Sequence, residues 1–359
     1  MGLCRTTLNF DLGKEIGSEG LNSKVFEAFD PQLKANLVVK KIEKKSIVED
    51  YESIDESNFY TESRIMYECK HPHVMEIQYA SEDEDSIYFS MPLCKNGSLN
   101  SLINKRYLSV REIIKYSLEF LLGIHYIHTK SLIHFDIKPT NILIDNNNKA
   151  VVTDFGLAKY TDLYGFIRPN KIYTPHQPPE GFKYSDYTSK ADIYQAGITM
   201  YRMCNGNMEY EEQFNYWLTK GKLQESIEKG KFPNRKHYLP HIPLKLKRII
   251  NKAMSVNVDE RYDTILDMIN EISTIDKNLD WYYNEDTNKH SMEWSIVNSA
   301  KTHKNVIEVV DLGNNSSKVI GKKIRLSDNV TNRVTKWNIT SIENDRVFKK
   351  IEDFIKELK

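Results

Sequence analysis

Cysteine is scarce in this sequence. The chain of 359 residues has four, Cys4, Cys69, Cys94 and Cys204, and no two of them form a C-x-x-C pair. That spacing excludes a zinc knuckle or a dithiol redox motif. Scattered singly, they read as small buried side chains in a reducing compartment, so a cytoplasmic location is expected. Neither sign of charge is in excess, because 50 basic residues balance 50 acidic ones. Nucleic-acid binding needs a strong basic surplus somewhere, so no nucleic-acid partner is expected. No apolar run approaches the roughly eighteen residues of a membrane span. The N-terminus lacks the apolar segment of a secretory signal, so the sequons at Asn314, Asn315 and Asn338 carry no weight. Internal repeats and low-complexity tracts are missing too. Met1 to Thr6 does fit the N-myristoylation pattern, with Cys4 placed for a second acyl chain. That pattern has meaning only in a cell with the eukaryotic transferase, and a plain flexible N-terminus is the reading preferred.

What is present suffices for a large folded protein. Hydrophobic content of 40% and charged content of 28% support a sizeable core, and the length suits two domains or one domain with an appendage. The order is strands first, then mostly helices. Val25 to Ala28 and Leu37 to Lys40 alternate or run apolar, as strands do. Phe59 to Cys69 has helical spacing and stops before His71-Pro72. Ser109 followed by Glu112 is a capping box at the head of a mostly apolar helix over 109–128. Ile142-Leu143-Ile144 and Ala150-Val151-Val152 flank a turn rich in Asp and Asn, which predicts a hairpin. Thr188-Ser189 opens another buried helix, ended by Asn205-Gly206. After about residue 276 short apolar runs appear, among them Trp294 to Val297, Val306 to Val310, Val319-Ile320 and Trp337 to Ile339. An amphipathic helix from Val347 to Leu358 follows.

The chemistry concentrates in His134-Phe135-Asp136-Ile137-Lys138-Pro139-Thr140-Asn141 and in Asp154-Phe155-Gly156, thirteen residues beyond Asn141. An Asp-x-x-x-x-Asn spacing followed by Asp-Phe-Gly is the pattern of a kinase catalytic loop and its metal-binding loop. One carboxylate orients an attacking hydroxyl, while an amide oxygen and a second carboxylate hold a divalent ion on nucleotide phosphates.

From Leu8 to about Ser273 the chain resembles a eukaryotic-type (Hanks-type) serine/threonine protein kinase, with the motifs in family order. The resemblance implies an α+β, two-lobed protein-kinase-like fold. Residues 8–92 would form a β-rich, ATP-binding N-lobe, and 93–276 a mostly helical C-lobe carrying catalysis and the substrate platform. Beyond the resemblance, the apolar runs of residues 277–359 predict a small β-rich accessory module ending in a helix. The implied cofactors are ATP and Mg²⁺, with Mn²⁺ as an alternative ion. The implied partners are protein substrates; the C-terminal module lies outside the resemblance and is read either as a docking or regulatory domain for a further partner or as a packed appendage.

The resemblance also assigns roles. Lys40 would hold the α- and β-phosphates and pair with Glu62, which stands nine residues before His71. Asp136 would be the catalytic base, Lys138 would neutralise charge on the transferred group, and Asn141 and Asp154 would ligate the metal. Asp192 would brace the catalytic loop, and Glu180 in Pro178-Pro179-Glu180 would pair with Arg261. Val25 and Val38 would cover adenine from above and Leu143 from below. Met91 falls at the gatekeeper position, and Leu93 and Cys94 fall at the hinge. Thr174 is the expected threonine contact of Asp136 and Lys138.

Three departures stand out. The glycine-rich loop keeps Ile16, Gly17 and Gly20 near the nucleotide, but Ser18 and Ser23 replace two glycines. Phe135 stands where an arginine usually receives an activation-loop phosphate, which makes this a kinase without that receiver (non-RD). Pro92 removes one hinge N–H. A pseudokinase scaffold is therefore the alternative. A small-molecule phosphotransferase shares Lys40 and the two aspartates but not Lys138, Pro178-Pro179-Glu180 or Arg261.

Overall fold

The computed structural model describes residues 8–17, 23–45, 60–168, 173–183 and 186–358. The N-terminal lobe is an antiparallel sheet of β1 (Asp11–Gly17), β2 (Ser23–Asp30), β3 (Ala35–Glu43), β4 (Tyr79–Glu82) and β5 (Ser86–Pro92), in the order β1-β2-β3-β5-β4. The β2–β3 turn closes on Asp30, whose Oδ1 accepts from the Gln32 and Leu33 amides at 2.8 and 2.9 Å. Register decides which side chains share a face. Lys40 lies opposite Val25 and Phe89, and Val38 lies opposite Met91. Directly opposed residues point the same way, and Val38 and Lys40 are two apart on one strand. Val25, Val38, Lys40 and Met91 therefore project from a single face. Helix α1 (Thr61–Glu68) packs beside the sheet through buried Ile65 and Met66.

The C-terminal lobe begins with α2 (Leu99–Lys105), capped by Ser98, whose Oγ accepts the Ser101 amide. Helix α3 (Val110–Thr129) starts at the Ser109/Glu112 capping box, with both reciprocal hydrogen bonds formed. Short strands carry the loops that matter. β6 (Leu132–Ile133) enters the catalytic loop, β7 (Ile142–Ile144) and β8 (Ala150–Val152) form the hairpin after it, and β9 (Lys159–Tyr160) pairs back onto β6. Helix α4 (Lys190–Asn205) is buried from Ala191 to its end, and Gly206 stops it at φ +85°, a conformation only glycine adopts readily. Around it lie α5 (Asn207–Thr219), α6 (Leu223–Glu228), α7 (Leu244–Ala253) and α8 (Ile265–Ser273).

Residues beyond α8 form a third layer. β10 (Tyr282–Asp286), β11 (Ser291–Val297), β12 (His303–Gly313), β13 (Ser316–Arg325) and β14 (Thr331–Arg333) make an antiparallel sheet, with β15 (Ile339–Glu343) also paired to β13. Helix α9 (Asn344–Glu357) buries Val347, Ile351, Phe354 and Ile355. The apolar run Trp337 to Ile339 is divided between two elements. Thr335–Trp337 is a 3₁₀ turn, and the strand begins only at Ile339. The turn drives the buried Trp337 over Gly321, where an added Cβ would stand 2.5 Å from Trp337 Cβ. Its ring also faces Phe354.

This module is packed onto the C-lobe. Arg111 binds Asp280 with two hydrogen bonds of 2.6 and 2.8 Å. Tyr107 meets the Tyr283 ring edge-on at 4.5 Å, and Lys247 lies 3.6 Å from Glu352. One contiguous apolar core runs from the N-lobe through α4 and into Trp281, Trp294, Ile307 and Phe354.

Candidate active site

The cleft between the lobes is assembled from two ionic groups. In the first, Lys40 on β3 donates to Glu62 of α1 at 2.7 Å and to Asp154 at 2.9 Å. All three are distant in sequence, and they meet only where β3, α1 and the loop after β8 come together in the fold. Burial by itself would depress the Lys40 pKa, but Asp154 and Glu62 more than offset it and hold the ammonium above its ordinary value. Asp154 is pulled down to about 2, first by the charge of Lys40, with burial opposing. It is therefore ionised at any physiological pH. Burial pushes the Glu62 carboxyl up, against the pull of Lys40 and of the Phe155 amide.

In the second group, Asp136 Oδ2 lies 3.0 Å from Lys138 Nζ and accepts from Asn141 Nδ2 at 2.7 Å. Asn141 also ties to the Asp136 carbonyl at 3.0 Å. Asp136 Oδ1 is buried with no hydrogen-bond partner among the described residues. The two groups join through Thr153, whose amide donates to the Asn141 carbonyl while its carbonyl accepts from His134 Nε2.

The backbone bearing Asp136 is held from α4. Asp192 accepts from the His134 amide at 2.9 Å and the Phe135 amide at 2.8 Å, with His128 Nε2 2.8 Å from the same carboxylate. Burial would raise the Asp192 pKa, and these donors hold it below the ordinary carboxylate value. Gln195, one turn along α4, accepts from Ile137 N and donates to Phe135 O at 2.9 and 2.7 Å. Sequence reasoning passed over Gln195, although its i+3 spacing from Asp192 puts both on one helix face. Glu180 and Arg261 form a two-pronged ion pair at 2.8 and 2.6 Å, and Arg261 also holds the carbonyls of Ser255 and Lys190.

The apolar slot beside Lys40 has Val25, Val38 and Met91 on the sheet face and half-buried Leu143 from β7 below. At the hinge the backbone alternates. Leu93 O accepts from Asn146 Nδ2 at 3.2 Å and Lys95 N donates to Asn146 Oδ1 at 3.0 Å, so both turn toward the β7–β8 hairpin. The Cys94 N–H between them finds no partner among the described residues. Ile16 and Gly17 end β1 across from Val25. Gly20 and Ser18, and the N-terminal Met1 to Thr6 pattern, lie outside the described residues.

One expectation changes in the activation segment. Thr174 makes no hydrogen bond to Asp136 or Lys138. The ring over Lys138 is that of Tyr173, with Nζ 4.4 Å from its centroid. Phe135, in the position of a phosphate-binding arginine, is buried at φ +65° and meets the Tyr187 ring edge-on at 5.8 Å.

The family described as "Protein kinase domain" matches residues 10–274. Over 264 residues the chain is 27% identical to the probable serine/threonine-protein kinase PknB of Lactococcus lactis, covering 73% of this chain and 41% of that protein. It is 26% identical over 246 residues to CBL-interacting serine/threonine-protein kinase 20 of Arabidopsis thaliana, covering 67% of this chain and 54% of that one. Serine/threonine-protein kinase akt-2 of Caenorhabditis elegans is 29% identical over 231 residues, covering 63% and 42%. The chain thus spans about half or less of the length of these curated relatives.

Proposed function

The chain belongs to the protein kinase domain family, and from that premise we propose that it is a serine/threonine protein kinase moving the γ-phosphate of ATP to protein hydroxyls. The observation that carries the reading is the double anchoring of the Lys40 ammonium by Glu62 and Asp154, in a cleft shared with Asp136. Val25, Val38, Met91 and Leu143 would enclose adenine, with the free Cys94 N–H as its donor, and Ile16 and Gly17 would lie over the phosphates. Lys40, fixed on its long stem, would meet the phosphate oxygens as a placed positive charge.

Asp136 would take a hydrogen bond from the acceptor hydroxyl on Oδ1, which has no partner among the described residues. Asn141 keeps the other oxygen occupied, so the carboxylate cannot rotate freely. Lys138 adds positive charge where negative charge gathers on the moving group. Asp154 and Asn141 fit a divalent ion, because an ionised carboxylate and an amide oxygen are hard donors that suit Mg²⁺ and, with the same set, Mn²⁺. When bound, that ion would screen the phosphate charge and align the chain of phosphates.

The reading extends to regulation. Phe135 packs with Ile133, Tyr187 and Ala191, against Ile167 of the activation segment. This apolar contact would hold the segment in place of an arginine–phosphate pair, so activity would not need a phosphorylated loop.

The test is a transfer assay with Mg²⁺-ATP on phosphatase-treated protein, comparing the native chain with Asp136→Asn. Transfer by the native chain, at least about a hundredfold above the variant, is expected, with ATP affinity similar in both. Equal rates would reject catalysis. ATP binding without transfer would assign the chain to a nucleotide-binding scaffold.

A further inference from the structure

Two side chains of the activation segment take hold of the catalytic loop, His176 at Ile137 and Tyr173 at Lys138. His176 is fully buried; its Nδ1 lies 2.9 Å from the Ile137 carbonyl and its Nε2 lies 3.1 Å from Arg202 Nη1. Carbonyls only accept and guanidinium groups only donate, so the proton sits on Nδ1 and Nε2 accepts. Burial, and then the charge of Arg202, keep this imidazole well below its ordinary pKa, so the arrangement does not change near neutral pH. Arg202 is held in turn by Asn207 at 2.8 Å and Asn100 at 3.1 Å. The Pro175 carbonyl accepts the Tyr210 hydroxyl at 2.5 Å. On this rigid base stands Tyr173, 40% exposed, with its ring facing the Lys138 ammonium.

We propose that Tyr173 is a positioning residue for phosphoryl transfer: its ring, anchored through His176, holds Lys138 beside Asp136. The inference rests on the kinase reading of this site. An aromatic face attracts an ammonium without accepting a directed hydrogen bond. Lys138 has three N–H donors, and Asp136 engages one of them. A hydroxyl in the place of the ring would claim a second. The ring leaves it free for a phosphate oxygen and still restrains the flexible stem. Tyr173 thus does by its π-face what a threonine hydroxyl was expected to do at Thr174.

The experiment measures kcat and KM for Mg²⁺-ATP with casein as acceptor, on the full chain and on Asp136→Asn, Tyr173→Phe, Tyr173→Leu, Lys138→Met and the Lys138→Met/Tyr173→Leu double variant. Melting temperatures are recorded alongside. Because Tyr173 is partly exposed, its removal opens no core cavity, and Tm should stay within about 2 °C. Tyr173→Phe keeps the ring and should stay within about twofold of the native kcat. Tyr173→Leu should lose about three- to thirtyfold in kcat, the range of a cation–π contact, with the KM for ATP unchanged. In the Lys138→Met background the leucine should cost nothing further, because the two side chains act as one unit. Native rates in Tyr173→Leu, losses that add in the double variant, or an equal loss in Tyr173→Phe would each overturn the role of the ring. A native rate no higher than that of Asp136→Asn would end the kinase reading, and this proposal with it.

Discussion

His241 is buried at the junction of the C-lobe and the C-terminal module with neither ring nitrogen hydrogen-bonded among the described residues. It lies nearly parallel to Tyr283 at 6.3 Å. Burial, helped by the charge of Lys247, lowers its pKa from 6.5 to about 3. Above pH 6.5 the imidazole is neutral in both folded and unfolded chains. Between 6.5 and 3 the unfolded chain takes up a proton that the folded chain refuses, so stability falls as pH falls, by up to about 1.4 kcal/mol per pH unit. His241→Phe keeps a ring of similar size and removes the titration. Its Tm-versus-pH curve should be flatter than the native one between pH 6.5 and 4. Parallel curves would show that other groups govern acid sensitivity here. Neither this residue nor His176 stood out in the sequence, because burial is a property of neighbours far along the chain. Asp136, Asn141 and Asp154 did stand out, because their spacing within short loops is itself the motif.

At the scale of elements, α1 matters most because it carries Glu62. Eight residues make a marginal helix alone, so its place depends on what it touches. Ile65 and Met66 seat it on the core. At its end Glu68 accepts the Tyr160 hydroxyl at 2.5 Å, and Tyr160 is fixed opposite Leu132 by the β6–β9 pairing. A continuous path therefore runs from the catalytic loop through β9 and α1 to the Lys40–Glu62 pair. Tyr160→Phe breaks that path without removing packing. The activity kcat/KM for ATP is expected to fall about two- to tenfold, matching a net hydrogen-bond worth of about 0.5–1.5 kcal/mol. Glu68→Met removes the acceptor of the same bond, and the double variant should be no worse than either single one. Full activity in both single variants would show that α1 is held by its apolar face alone. The capping box of α3 and the β7–β8 hairpin were legible in sequence, since caps and turns are local. The Tyr160–Glu68 link spans 92 residues and left no local trace. The apolar run at Trp337 likewise did not show that a 3₁₀ turn would split it from the strand at Ile339 and bury the tryptophan over Gly321.

At the scale of the whole molecule, the C-terminal module is joined to the C-lobe by ion pairs, ring contacts and shared core. Arg111–Asp280, Tyr107–Tyr283 and Lys247–Glu352 all cross this boundary, and His237 faces Phe348. Removing residues 277–359 would uncover these C-lobe surfaces. The truncated chain should melt at least about 5 °C below the native one. An unchanged Tm would mean that the module folds and acts as an independent unit.

The sequence by itself determined the order of the elements, the family resemblance and the identity of the ionic residues, because periodicity, caps and motif spacing are written over a few turns of chain. Tertiary structure alone decided that Tyr173, not Thr174, faces Lys138, that Phe135 serves packing, and that the last eighty or so residues share a core with the C-lobe. Those outcomes depend on which surfaces meet after the chain has closed on itself, and the energy of such meetings lies in burial and geometry between segments that no local pattern encodes.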